Sequence, residues 1–486
     1  MTEPANRIGV GRSAAILTVG GMVEFALQFL VPVILVRYLE AGEFGAYRLL
    51  TLALGTALAL APAFMPQSLY YYLPAACEAR RRLVIGNVIA YLALMGILVA
   101  AIASPLNPLG GAMLHNLFHA SHGMSALYLG LSVLLSITTT VAIAEGRIIW
   151  HFTTDLCIAL LRSCLIAGAA ILTRDLFWVV MALAVDAGIR VAVGCAYLAT
   201  RPGGIGIRID PGLLAAQLRY SLPFALGASL FAMRAQADQW IAVSLLPPAA
   251  FAAFTIGAVV LPVASLIRQP INNAMLPSLS TAFAAGRVDT VHRLLINGSS
   301  AATLILMPIA GTLFVLAPEI VALVYTDQYM PAVPAMRIYL VLIMMQSFAI
   351  GYAMPILDLG KVAVRINALG LAISVGFSLA GAWCFGLAGA ALGSVVAFAV
   401  SETCNMRVIA RLLGTSFWNM LPLRLMLITG ASAGSGLLVT LLVDTGAWGG
   451  IWQVVALKLA LYGSVVLAVF AVAGGMGEIR RARRSA

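Results

Sequence analysis

Leu39-Glu40-Ala41-Gly42-Glu43-Phe44-Gly45-Ala46-Tyr47 has a counterpart 207 positions later, Leu246-Pro247-Pro248-Ala249-Ala250-Phe251-Ala252-Ala253-Phe254. The match extends in both directions. Arg12 falls on Arg219 at the same offset, and Arg82-Leu83-Val84-Ile85 reaches Arg293-Leu294-Leu295-Ile296 after a small insertion. Self-similarity over such a distance is the mark of a duplicated fold. In an apolar chain it predicts parallel repeats with a site between them.

The chain has 486 residues, 62% of them hydrophobic and 10% charged, and its mean hydropathy is +1.01. A soluble domain cannot hide so much apolar surface, so the composition predicts an all-α, polytopic membrane protein. The formal charge of +11 would suggest nucleic acid in a soluble protein. Here the basic residues gather in short connections, where they set orientation instead. Residues 1–12 are polar and short, and the apolar run after them is too long for a signal peptide and lacks a small-residue cleavage site. The six cysteines stand within or beside apolar runs without a C-x-x-C pair. They read as buried small hydrophobes, with no disulfide framework and no zinc site.

Fourteen spans are expected, at about 13–38, 45–73, 83–104, 124–145, 152–172, 177–199, 221–246, 251–284, 294–317, 336–357, 364–385, 387–406, 422–443 and 451–473. They group into an N-terminal lobe over 1–200, a Gly-, Pro- and Arg-rich linker over 201–220, and a C-terminal lobe over 221–412. Two further spans and a basic tail, 413–486, lie outside the repeat. With Met1 in the cytoplasm, that side receives 20 Lys and Arg residues and the other side 4. The bias places both termini inside. Every outer loop is short, which argues against an external sugar-polymerising enzyme.

Eight ionisable residues fall well inside spans: Glu24, Arg162, Asp186, Arg190, Arg234, Asp238, Arg268 and Lys458. At about 2.5–3.5 kcal/mol each on insertion scales they cannot face lipid. Asp186 and Arg190 are four apart on one helix, as are Arg234 and Asp238, so each pair shares a face and can neutralise itself. Structural ion pairing is one reading of the set. The other rests on five basic residues against three acidic ones, drawn from both lobes. A cavity lined with spare guanidinium groups suits an anion, and Arg grips phosphate oxygens bidentately. Gln28 and Asn272 lie one turn beyond Glu24 and Arg268. Lys458, in the appended pair, reads more readily as a structural or snorkelling lysine. Gln67, Tyr70, Tyr71 and Tyr72 end the second span and suit either sugar rings or an interfacial belt. His115, His119 and His122 have helical spacing but no carboxylate nearby, so a solvent-facing or interfacial stretch is expected and no metal. Gly389 and Gly393 form a G-x-x-x-G that predicts close helix packing. No nucleophile elbow, P-loop or dinucleotide motif is present, so neither an enzyme nor a cofactor is expected.

The stretch Leu35-Val36-Arg37-Tyr38-Leu39-Glu40-Ala41-Gly42-Glu43-Phe44-Gly45-Ala46-Tyr47 resembles the entry motif of Wzx-type polysaccharide transporters. So do Arg219-Tyr220-Ser221-Leu222-Pro223, the turn Ala317-Pro318-Glu319-Ile320 with Tyr329 and Ala332, and Phe385-Gly386-Leu387-Ala388-Gly389-Ala390-Ala391. The resemblance covers roughly 10 to 410. It implies the MOP superfamily fold, with two six-helix lobes about a central cavity and alternating access. It also implies flipping of polyprenyl-pyrophosphate-linked oligosaccharide across a bacterial inner membrane for surface polysaccharide such as O-antigen or exopolysaccharide. On this reading Arg162, Arg190, Arg234 and Arg268, with Asn272 and Gln28, bind substrate. Glu24, Asp186 and Asp238 are candidates for a coupling proton or sodium ion. Polymerase or export proteins are possible partners, and nucleic acid is not. The competing readings are a multidrug cation antiporter of the same superfamily and a membrane glycosyltransferase or polymerase.

Overall fold

The computed structural model describes residues 23, 26–27, 29–74, 76–104, 107, 121–200, 208–442 and 450–472. Glu24, Gln28, His115 and His119 lie outside these residues. Everything regular among the described residues is helical, and ten helices are long and apolar enough to cross a membrane. The protein is a multi-pass, all-α membrane protein. By internal packing the chain divides into two units, Met1–Ala232 and Met233–Ala486.

The first unit contains α1 (Phe29–Tyr38), α2 (Ala41–Leu60), α3 (Leu69–Tyr72), α4 (Glu78–Ala103), α5 (His122–Ala144), α6 (Ile148–Thr173) and α7 (Leu176–Ala199). Helix α8 (Pro211–Leu245) carries the division between the units within it. The second unit continues with α9 (Pro248–Gly257), α10 (Pro262–Ala284), α11 (Val288–Val315), α12 (Val333–Gln346) and α13 (Gly360–Leu412). The appended pair is α14 (Leu423–Leu442) and α15 (Ile451–Val472).

Several positions matched by the expected repeat have like surroundings. Helix α2 begins at Ala41 and α9 at Pro248, which are 207 apart. The two starts use different chemistry. The Glu40 N–H donates to Glu43 at 3.3 Å, whereas Pro248 has no N–H to satisfy. Phe44 and Phe251 are both buried, as are Tyr47 and Phe254, and Val84 and Leu295. The same aromatic pattern therefore anchors the entry helix of each half.

Several expected spans differ from the observed helices; the eighth, 251–284, divides into α9 and α10 across a 3-10 turn at Ala258–Val260. The second, 45–73, is interrupted: α2 stops at Leu60, and Ala63 and Phe64 take left-handed φ values of 46° and 59° before a 3-10 turn at Pro66–Ser68. Pro62 and Pro66 cannot donate to a continuing helix. The left-handed turn takes the Ala63 and Met65 N–H groups away from the Ala59 and Ala61 carbonyls, which find side-chain donors instead, Ser229 on Ala59 at 3.2 Å and Tyr91 on Ala61 at 3.2 Å. The tenth, 336–357, breaks after Gln346 and resumes as a 3-10 turn at Gly351–Ala353. The seventh starts ten residues early, so 211–220 of the expected linker are the first turns of α8. Asp210 caps those turns, accepting from the Gly212 and Leu213 N–H groups at 2.9 and 3.1 Å.

Spans eleven and twelve are the two arms of α13, reversed at Gly386 (φ 59°, ψ −135°), a conformation open in practice to glycine alone. Gly389 lies against the Gly381 backbone and Gly393 against Ser374 and Ser378, so the G-x-x-x-G packs the arms as its spacing predicts. The cysteines depart from expectation. Cys77, Cys157, Cys164, Cys195 and Cys384 are exposed, and Cys404 is half-buried. A thiol is apolar enough to face lipid as readily as a core. His122 is buried in the first turn of α5 and does not face solvent.

Candidate functional site

Each unit buries a cluster of charge, and the two clusters are built differently. In the first unit Asp186 and Arg190, one turn apart on α7, pair at 3.0 Å, with the carboxylate fully buried. Arg162 on α6 donates to the Tyr128 hydroxyl on α5 at 3.1 Å, and its charge also reaches Asp186. Two guanidiniums therefore address one carboxylate. The second oxygen of Asp186 is buried and accepts no hydrogen bond. Arg190 further lines a cavity of about 40 Å³ with Thr138, Thr139, His151, Thr154 and Asp155. His151 Nδ1 stands 3.5 Å from Asp155, one turn along α6. Sequence reading passed over this His–Asp pair because it lies at the polar edge of a span.

In the second unit the expected Arg234–Asp238 pair gives way to other partners. Asp238, fully buried, accepts from the Tyr339 hydroxyl at 2.7 Å, the Ser394 hydroxyl at 2.7 Å and the Gln239 N–H at 2.8 Å. Sharing a helix face made pairing possible, but hydroxyls from α12 and α13 satisfy the carboxylate instead. Arg234 lies against Gly370 of α13, where any larger side chain would displace it. The carboxylate whose charge acts on Arg234 is Glu402, on the second arm of α13.

Glu402 is the main residue that sequence reading missed. It is buried, it accepts from the Ile350 N–H and from the Gly351 N–H at 3.0 Å, and Asn405 donates to its other oxygen at 3.1 Å. Arg268 approaches the same break from α10. It donates to the carbonyls of Ser347, at 2.7 Å, and Ala349, and its guanidinium lies 5.6 Å from the Tyr352 ring centre. The interrupted helix after Gln346 thus has its loose carbonyls held by an arginine and its loose amides held by a glutamate. A membrane-embedded break requires such partners. The Glu402 charge acts on Arg268 as well as Arg234. Arg268 keeps its Nε–H and one hydrogen on each terminal nitrogen beyond its two bonds to the break. Asn272, one turn beyond it, has a buried amide oxygen with no hydrogen-bond partner among the described residues.

Counting Glu402 narrows the surplus of positive charge read from the sequence. Lys458 leaves the count altogether. Its ammonium pairs with Glu319 at 2.5 Å, which ties α15 to the short helix Ala317–Ile320. Glu319 belongs to a motif quoted above as an outer turn, and its partner lies 139 positions away, so nothing local announces the pair.

A polysaccharide biosynthesis protein family model matches residues 34–334. Among solved structures the chain is similar to the lipid II flippase MurJ in an inward closed conformation, with a TM-score of 0.69 and 12% identity over 94% of this chain and 99% of that one. An inward-facing multidrug-resistance MATE transporter of the MOP superfamily gives 0.64 at 13% identity, covering 83% and 99%. A MOP superfamily transporter from Pyrococcus furiosus, described as having a binding pocket of reverse polarity, gives 0.57 at 13% identity over 83% and 96%. At these identities the likeness is one of fold. No curated protein matches.

Proposed function

Because this chain belongs to the polysaccharide biosynthesis protein family, we propose that it flips polyprenyl-pyrophosphate-linked oligosaccharide from the cytoplasmic to the periplasmic leaflet of a bacterial inner membrane. The observation that carries the reading is the burial of Arg268 and Glu402 inside apolar helices, where the Glu402 charge acts on both Arg234 and Arg268. Guanidinium groups suit an anion, and the amide oxygen of Asn272, an acceptor with no hydrogen-bond partner among the described residues, suits a sugar hydroxyl. The guanidinium groups do not suit a cationic drug. MurJ, which shares the fold, is named a flippase of a lipid-linked substrate, in keeping with this reading.

In this mechanism the substrate is exposed to each side of the membrane in turn by alternating access. Arg162, Arg190, Arg234 and Arg268 hold the pyrophosphate and adjoining sugars, with Asn272 and Gln28 supplying amides. The polyprenyl tail stays in lipid. Glu24, Asp186 and Asp238 are the carboxylates able to take up a coupling proton or sodium ion. The free oxygen of Asp186 supports it in that role.

The test is glycan export in cells carrying Arg234→Ala or Arg190→Ala. Export should fall about tenfold or more with protein abundance near that of the parent, and the lipid-linked precursor should accumulate inside. The double variant Arg234→Ala/Glu402→Gln separates a ligand contact from a structural charge balance. Full recovery of export in that double variant would sink the clamp role of Arg234.

A further inference from the structure

Five aromatic rings in the first unit form a continuous ladder that no part of the charge clusters uses. Tyr71 stacks on Tyr220, with centroids 5.0 Å apart and planes within 20°. Tyr72 meets both edge-on, at 5.1 Å from Tyr71 and 6.0 Å from Tyr220. Tyr220 leads to Phe224 at 5.7 Å, and Phe224 stacks on Phe64 at 6.3 Å. Although they touch, the rings are not buried: Tyr71 is 63% exposed and Phe224 55%.

The ladder is held rigidly from behind. Asn87 of α4 is fully buried; it donates to the Asp210 carbonyl and the Gln217 side chain at 3.2 Å each, and accepts from the Asp210 N–H at 3.0 Å. Gln217 passes the link on to Ser68 at 3.3 Å and to the Val84 carbonyl at 3.4 Å. Gly86 lets the Arg208 backbone come so close that a Cβ there would lie 2.6 Å from its carbonyl oxygen. This buried web ties the first turns of α8 to the turn that carries Tyr71. On the other side, Phe64 is aimed by a turn in which Ala63 and Phe64 both take the strained left-handed conformation. Tyrosines of an ordinary interfacial belt need neither a buried polar web nor a strained turn.

Depth along the membrane follows from helix length. From Leu245 back to Tyr220 is about 37 Å of helix and to Phe224 about 31 Å, against a hydrocarbon core of about 30 Å. With Leu245 set at one hydrocarbon edge, a helix of this length carries Phe224 to the other edge and Tyr220 about one turn beyond it. That is the end of the unit that carries Arg208 and Arg219. A pyrophosphate on a polyprenol sits at that depth, and its first sugars lie just beyond.

We propose that Tyr71, Tyr220 and Tyr72 are a stacking platform for the first pyranose rings of the lipid-linked glycan, used as the substrate enters from the basic face. A pyranose presents one face of C–H bonds to a π-surface and hydroxyls at its rim, which matches a ring that is apolar in its body and wet at its tip. This inference rests on the lipid-linked substrate proposed above and adds the residues that read its sugar.

The test uses full-length protein in nanodiscs and two probes, undecaprenyl pyrophosphate and undecaprenyl-pyrophosphoryl-N-acetylglucosamine, with binding read by native mass spectrometry. The parent should prefer the glycosylated lipid by about three- to tenfold, the yield of one or two aromatic contacts. Tyr71→Leu and Tyr220→Leu should erase that preference and leave affinity for the bare lipid unchanged, which also shows that they fold. Tyr71→Phe should keep it. Equal binding of both probes by the parent would overturn the platform. So would an equal loss for both probes in the leucine variants, which marks a headgroup belt. A parent that binds neither probe overturns the lipid-linked reading itself, and the platform with it.

Discussion

Glu402 should be worth about 4 kcal/mol to the second unit, and most of that through its acceptor oxygens. Its carboxylate takes the Ile350 and Gly351 amides at the end of the broken helix, and its charge acts on Arg234 and Arg268. Glu402→Ala leaves two buried N–H groups without an acceptor, at about 1–3 kcal/mol each, less whatever water recovers. It also removes the counter-charge of a buried pair, a loss of about 3–5 kcal/mol in other settings that overlaps with the first and does not add to it. Glu402→Gln keeps an acceptor oxygen for the amides and removes the charge, while its NH2 group takes the place of the oxygen that Asn405 donates to, a contact that a flip of the Asn405 amide restores. Arg268 then still has the Ser347 and Ala349 carbonyls, so about 1–2 kcal/mol is expected. The measurement is equilibrium unfolding of purified protein in mixed micelles of mild detergent and SDS, parent against both variants. A Glu402→Ala cost below about 1 kcal/mol, or a glutamine variant as unstable as the alanine one, would refute the view that this residue stitches the break.

Three further outcomes are expected. Lys458→Met should cost about 3–5 kcal/mol by leaving Glu319 buried and unpaired, and Lys458→Met/Glu319→Gln should regain most of it; equal instability of single and double variants would show that the ion pair is not what ties α15 down. In intact cells, with the six native cysteines replaced, His119→Cys should react with an impermeant thiol reagent while Arg208→Cys and Arg483→Cys stay protected. Labelling at Arg208 would reverse the orientation drawn from charge. Glu24→Gln should bind substrate in proteoliposomes yet lose its response to an imposed proton or sodium gradient, since glutamine mimics the protonated acid. A gradient response equal to the parent's would remove Glu24 from the coupling role.

The amino-acid sequence by itself determined the class, the number and order of most spans, the repeat and the hairpin at Gly386. These rest on hydropathy summed over twenty residues, on glycine at a position only glycine occupies, and on aromatic residues recurring at a fixed offset. Asp186 and Arg190 were also legible, because one helical turn is a local distance. Tertiary structure decided the rest. The same local rule put Arg234 beside Asp238, yet hydroxyls 101 and 156 positions away hold that carboxylate. The breaks at 61–65 and after Gln346 vanish in a hydropathy window, since both are apolar. They survive in a membrane because Ser229, Tyr91, Arg268 and Glu402 reach them from distant helices. Glu402 shows the limit most plainly: its 52-residue separation from Ile350 is invisible to any periodicity, and only packing brings the charge to the backbone that needs it.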